Sequence, residues 1–239
     1  MTLVSGSSLQ CALDTSDLET ALALARQLRG AVGGLKLGLE FFVANGPQGI
    51  RQVTQAGGLP LFLDLKFHDI PNTVAGAVRA AVGLEPAFLT LHTSGGAAMM
   101  QAAVEAAQSE ASRLSLARPR LLGVTVLTSL SDPDVLAIGQ KTPVLEQVLR
   151  LAALAQKAGL DGVVCSPHEI AAVRAQSGAD FTIMVPGIRP ATAQLGDQKR
   201  VMTPAQARAA GADYLVVGRP ITQAGDPAAA ARRIAEELN

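Results

Sequence analysis

With 239 residues and 20 Lys plus Arg balanced by 20 Asp plus Glu, the chain carries no global basic field that would draw it to nucleic acid or an anionic membrane. Apolar residues make up 49% and aromatics 3%, with no Trp, so Ala, Leu, Val and Gly must fill the core, as where helices pack closely on a sheet. Met1 to Gln10 lacks the basic-then-apolar order of a signal peptide and no apolar run is long enough to span a bilayer, so no membrane contact and a cytoplasmic location are expected.

Gln10 to Leu13 reads as a short strand ending at Asp14, followed by a helix over Asp17 to Leu28 closed by Gly30. Cys11 here, like Cys165 later, sits in an apolar strand-like segment without CxxC spacing, which favours buried reduced thiols over a disulfide or a zinc site. Gly34 to Leu37 is a second strand carrying Lys36, then come Phe41-Phe42 and a helix from about Pro47 to Ala56. A third strand starts at Leu61, and Pro71, which pre-sets a helical φ, opens a helix to Val82. Phe88 to His92 is strand four, with Ser94-Gly95-Gly96 leading into a helix over Ala97 to Ala111. Strand five is read over Leu121 to Leu127, ending at Thr128-Ser129, and Leu145 to Ala158 has helical spacing. Gly162 to Cys165, Phe181 to Val185 and Tyr214 to Val217 complete eight strands, interleaved with helices from Pro167, Thr203-Pro204 and Asp226. Eight alternations without a composition break predict one (β/α)8 TIM barrel domain over residues 1–239; a doubly wound sheet is the alternative, disfavoured because no GxGxxG or P-loop follows the first strand.

The third strand concentrates the chemistry. Leu61, Leu63 and Leu65 alternate with Phe62, Asp64 and Lys66, so a carboxylate and an ammonium share one wall at the carboxyl end, with Asp69 just beyond in a loop. A purely structural ion pair is the weaker reading, since buried pairs are expensive to desolvate and a second acid follows three residues on. His68 has a more modest claim, as a residue hydrogen-bonding within its loop. Strand ends and adjoining loops further offer Asp14, Lys36, His92, Thr128, Arg189, Gln198 and Arg219. Gly218-Arg219 after strand eight, with Arg189 and Gln198 after strand seven, marks an anion seat where barrels of this kind commonly hold phosphate. Ser94-Gly95-Gly96 reads equally as a plain helix start.

The segment Leu63-Asp64-Leu65-Lys66-Phe67-His68-Asp69-Ile70-Pro71-Asn72-Thr73 resembles the signature of the orotidine 5′-phosphate decarboxylase family, and agreement in order extends through Leu13-Asp14, Lys36, Val124 to Ser129, Pro186 to Pro190, Gly196 to Gln198 and Val217 to Ile221. The resemblance implies decarboxylation of orotidine 5′-monophosphate to UMP with neither metal nor cofactor. It implies Lys66 as proton donor to C6, Asp64 and Asp69 holding its ammonium, and Lys36 and Asp14 on the ribose and in the charge array. Thr128, with Ser129, would meet the pyrimidine edge, and Gln198, Arg189, Gly218 and Arg219 the phosphate. It also implies a homodimer in which Asp69, Ile70 and Thr73 complete the other subunit's site. Two rivals remain: a magnesium-dependent keto-gulonate-phosphate decarboxylase or hexulose-phosphate synthase, whose second strand offers an acid where this chain has Lys36, and an inactive phosphometabolite-binding barrel.

Overall fold

The computed structural model describes residues 8–189 and 202–238. Its strands are β1 (Leu9–Ala12), β2 (Gly34–Gly38), β3 (Leu61–Phe67), β4 (Phe88–His92), β5 (Arg120–Val124), β6 (Gly162–Val164), β7 (Thr182–Val185) and β8 (Tyr214–Val217). All pair in parallel with their sequence neighbours, and β1 pairs with β8, closing the barrel. The helices are α1 (Leu18–Gln27), α2 (Leu39–Gly57), α3 (Pro71–Val82), α4 (Ala97–Leu114), α5 (Asp132–Ala137), α6 (Val144–Lys157), α7 (Ile170–Ser177), α8 (Pro204–Ala209), α9 (Arg219–Thr222) and α10 (Pro227–Glu236).

Alternation along the strands divides the core in two. Leu9, Cys11, Leu35, Leu61, Leu63, Leu89, Leu91 and Val217 face outward into one continuous layer with the helices. Ala12, Phe62, Phe88, Leu122, Met184 and Val216 face inward and fill the barrel, a packed interior and not a pore. Lower in the barrel Arg120 lies 5.6 Å over the Phe88 ring and 6.0 Å over that of Tyr214, and donates to Thr182. Pairing of Ala12 with Lys36, and of Lys36 with Phe62, carries the inward set around to Lys36, so the register alone aims this lysine into the barrel mouth.

Local signals explain most element ends. The Asp17 carboxylate accepts from Thr20 N–H at 2.8 Å to cap α1, Asp226 caps α10 ahead of Pro227, and Pro71 occupies the first turn of α3. The α2 stretch starts earlier than the Pro47 expected from sequence: Phe41 and Phe42 are already helical, and Gly46, at φ +59, breaks the helix just before Pro47.

Strand five is shorter than expected. Its β-branched run predicts a strand to Leu127, but the ladder stops at Val124. Both the N–H and the hydroxyl of Thr125 turn to the Val164 carbonyl, and the next residue after β6, Cys165, gives its N–H to Met184 of β7. The chain leaves the sheet there, and Val126, Leu127 and Thr128 become rim of a cavity. Two short helices, α5 and α9, were not expected. The first was legible in Ser131-Asp132-Pro133-Asp134, where the Asp134 carboxylate accepts from Ser131 N–H at 2.9 Å as a helix-starting box.

Candidate active site

A cavity of about 280 Å³ opens at the carboxyl end of the barrel. Ala12, Phe62, Val164 and Val216 form its apolar floor, and Asp14, Lys36, Asp64, Lys66, Thr128, Arg189, Gly218 and Arg219 line its polar walls. These polar groups were expected together from their strand-end positions, and the closed barrel brings them together. Gln198, with the rest of the loop after β7 over 190–201, lies outside the described residues.

One side of the cavity carries a line of alternating charge. Lys36 Nζ donates to Asp14 Oδ1 at 2.9 Å and stands 3.8 Å from Asp64 Oδ2, which in turn accepts from Lys66 Nζ at 2.8 Å. Burial pushes the Asp64 carboxyl up, but the Lys36 and Lys66 ammoniums, with hydrogen bonds from Lys66 and Thr90, outweigh it and hold the group below the usual carboxylate range. Asp64 is therefore ionised throughout the neutral range. A Cβ on Gly38 would come within 3.3 Å of Lys36 Nζ, so the glycine at the end of β2 leaves room for the ammonium to bend toward its acids.

The backbone at Lys66 is unusual. Its φ is +49, in the left-handed region that a residue with a Cβ avoids at a cost of about 1–3 kcal/mol. The strand register slips there: Leu63 lies opposite Leu89 but Phe67 opposite Leu91, leaving Asp64, Leu65 and Lys66 against Thr90 alone. Thr90, fully buried, takes both loose ends. Its Oγ1 accepts from Lys66 N–H at 2.9 Å and its hydroxyl donates to Asp64 Oδ1 at 2.9 Å. Sequence reading missed this residue. The available signal was the period-2 alternation of β4, which sets Thr90 between Phe88 and His92 on the inner face, one pleat below the strand end where polar residues were sought.

His92 and His68 stack with ring centroids 5.4 Å apart. Burial lowers the His92 pKa, and the neighbouring His68 and Lys66 lower it further against the pull of Asp64. His68 is exposed and packs toward Gly95, where a Cβ would meet its ring carbon at 3.2 Å and Met99 Sδ at 2.2 Å. The Ser94-Gly95-Gly96 turn is thus a close-packed lead into α4 and does not line the cavity.

Across the cavity, Arg189 is fixed through its N–H to the Met202 carbonyl at 3.1 Å, and its Nε is buried with no hydrogen-bond partner among the described residues. Such an orphaned donor in a cavity wall is suited to an acceptor arriving with a ligand. Arg219 opens α9 beside it, directly after Gly218. Among the described residues a Cβ on Gly218 would meet Ala12 and Asp14 first, at ordinary distances of 3.5 Å or more. Asp69, Ile70 and Thr73 stand apart from the cavity of their own chain. Asp69 accepts from Ile70 N–H at 2.6 Å, and Ile70 is 66% exposed.

Fold and site together define a parallel (β/α)8 barrel whose charged groups converge at the carboxyl ends of the strands, the face on which such barrels carry their chemistry. Residues 7–234 match the model of the orotidine 5′-phosphate decarboxylase / HUMPS family. The chain is 58% identical to orotidine 5′-phosphate decarboxylase of Paramagnetospirillum magneticum, over 95% of this chain and 96% of that protein. It is 59% identical to that of Rhodospirillum rubrum, over 95% and 92%. The crystal structure of orotidine 5′-phosphate decarboxylase from Lactobacillus acidophilus superposes with a TM-score of 0.85 at 38% identity, covering 98% of this chain and 99% of that one. The chain belongs to the orotidine 5′-phosphate decarboxylase / HUMPS family.

Proposed function

We propose that this chain decarboxylates orotidine 5′-monophosphate to UMP and CO2, the last step of de novo pyrimidine synthesis, and that Lys66 supplies the proton. The observation that carries this reading is the Asp14, Lys36, Asp64, Lys66 line of charge in a cavity that Arg189 and Arg219 also line. Breaking the bond from C6 to the carboxylate leaves an electron pair in the plane of the pyrimidine ring, out of conjugation with its carbonyls. The ring offers no electron sink, so the surroundings must stabilise the pair electrostatically. An ammonium held at 2.8 Å by an ionised Asp64 is already oriented for this, and needs no reorganisation as the charge develops. The pair then takes a proton from Nζ, and the neutral amine recovers one from solvent. Asp64 fixes Lys66 and faces the departing carboxylate, Lys36 and Asp14 hold ribose hydroxyls, Thr128 meets the pyrimidine edge, and Arg189, Gly218, Arg219 and Gln198 bind the phosphate. Neither metal nor cofactor takes part. In support, Lys36 fills the space between Asp14 and Asp64, where a divalent cation would face an ammonium.

The working unit is a homodimer in which Asp69, Ile70 and Thr73 complete the site of the other subunit. Supporting this, Asp69 makes no ion pair with Lys66 of its own chain, and a second recess beside Lys36 and Lys66, walled by Leu39 and Phe41, could admit a carboxylate from another copy. Exposed Leu39, Val43 and Ile70 on the same end offer apolar surface to bury. The enzyme works in the cytoplasm, where Cys11 and Cys165 stay as buried thiols; burial pushes Cys11 up to about 12 and Cys165 up as well, which disfavours the thiolate of both.

Two measurements test the reading. Purified chain with excess EDTA is expected to convert orotidine 5′-monophosphate to UMP; no conversion, with activity on a keto-sugar phosphate restored by Mg²⁺, would assign it to the other branch of the family. Mixing inactive Lys66→Ala with inactive Asp69→Ala is expected to recover about a quarter of wild-type activity, because each two-fold heterodimer holds one site with both residues intact. No recovery after verified subunit exchange would remove the shared site.

A further inference from the structure

We propose that Thr90 is a positioning residue for the reaction, its one hydroxyl setting both the backbone bulge that aims Lys66 and the orientation of the Asp64 carboxylate that holds it. The proposal deepens the reading of Lys66 as proton donor and rests on it.

Thr90 is fully buried and does not line the cavity, so it acts on a ligand only through its neighbours. The direction of its hydroxyl proton is fixed by what it meets. Lys66 N–H can only donate and ionised Asp64 can only accept, so Oγ1 receives the first and gives its proton to the second. Both contacts fall at the register slip between β3 and β4, where Asp64, Leu65 and Lys66 have only Thr90 opposite them on the β4 side. Thr90 therefore replaces the missing ladder bond, and with it supports Lys66 in a backbone conformation, φ +49, that a lysine does not adopt freely.

The same hydroxyl divides the work of Asp64. Oδ1 belongs to Thr90, which leaves Oδ2 for Lys66 at 2.8 Å and, more distantly, Lys36 at 3.8 Å. Released at Oδ1, the carboxylate is free to rotate toward Lys36, and the Lys66 ammonium loses its fixed direction. A serine in place of Thr90 keeps this bridge; a valine keeps the shape and removes it. The groups facing Asp64 are Lys36, Lys66 and Thr90, with His92 acting on the same cluster by charge and Asp14 held beyond Lys36. Of these only Thr90 changes in the substitutions, so loss of its donor lets the Asp64 pKa rise.

The test compares Thr90→Val, Thr90→Ala and Thr90→Ser with wild type and Lys66→Ala, measuring kcat and KM for orotidine 5′-monophosphate, UMP binding by calorimetry, and the pH profile of kcat. For Thr90→Val, kcat is expected to fall roughly 100-fold, the scale of a misplaced reacting group. UMP affinity should stay near wild type, because the Arg189 and Arg219 seat lies on other strands, and the acid limb of kcat should move to higher pH. Thr90→Ser should restore both the rate and the limb. Wild-type kcat and limb in Thr90→Val, with Lys66→Ala inactive, would overturn the positioning role and leave the proton donor in place. Turnover by Lys66→Ala would overturn the donor and the Thr90 proposal with it. A slow Thr90→Val whose limb does not move, or that serine fails to rescue, would overturn the proposal, as would loss of native circular dichroism in both Thr90→Val and Thr90→Ala while Thr90→Ser folds, which would make Thr90 a purely structural residue.

Discussion

Lys66→Ala is expected to lower kcat for orotidine 5′-monophosphate by about 10⁴-fold or more, combining loss of the proton donor with loss of the charge that stabilises the in-plane electron pair. UMP should still bind, because in the proposed reading Lys66 meets the ring at C6 while Arg189 and Arg219, after β7 and β8, hold the phosphate. The fold should survive at some cost in stability: Asp64 loses its nearest ammonium but keeps Lys36 and Thr90, and the lysine side chain, 30% exposed, leaves no cavity in the core. Turnover and UMP titration together check this, and near-normal turnover would remove Lys66 from the chemistry.

Arg219→Ala carries the second large effect, of the opposite kind. Arg219 is exposed, so the scale is that of a charge-assisted hydrogen bond, about 1.5–3 kcal/mol, and UMP binding and kcat/KM should fall together by the corresponding factor. Uridine, which lacks the phosphate, should bind wild type and variant alike. Equal losses for UMP and uridine in a calorimetric titration would mean that Arg219 maintains the cavity and does not bind phosphate. Part of the loss should appear in kcat, since binding energy from the remote dianion can be spent on organising the reaction centre.

The charged half of the site was legible because strand alternation is a strict rule. Leu61, Leu63 and Leu65 declare the outer face of β3, which leaves Phe62, Asp64 and Lys66 inward, and closure of the barrel does the rest. The same rule failed at β5, where Thr125 and Val126 have every local property of a strand. The strand ends where Thr125 closes on the Val164 carbonyl with both its N–H and its hydroxyl, a fact about pairing that no single segment records. The bulge at Lys66 was hidden for a related reason. Leu63-Asp64-Leu65-Lys66-Phe67 reads as a regular strand, and only the pairing with β4 reveals that Lys66 turns left-handed and that Thr90 meets its N–H. Asp69 shows the remaining limit: the sequence puts it just beyond Lys66 in a loop, and its side chain turns to Ile70 N–H outside the cavity of its own chain. Whether it meets a second copy is a property of assembly, beyond the reach of local pattern.

The central claim, that Lys66 exchanges a proton with a carbanion at C6, is tested most directly by running the step backwards. By microscopic reversibility the site that protonates C6 must also remove that proton, so C6–H of bound nucleotide should exchange with D₂O. A 5-fluoro analogue of UMP, whose fluorine acidifies C6, followed by NMR makes the exchange measurable. The expected result is deuterium at C6 with wild type, much less with Thr90→Val, and none with Lys66→Ala. Exchange by Lys66→Ala at the wild-type rate would contradict the account, and would require another group to carry the proton.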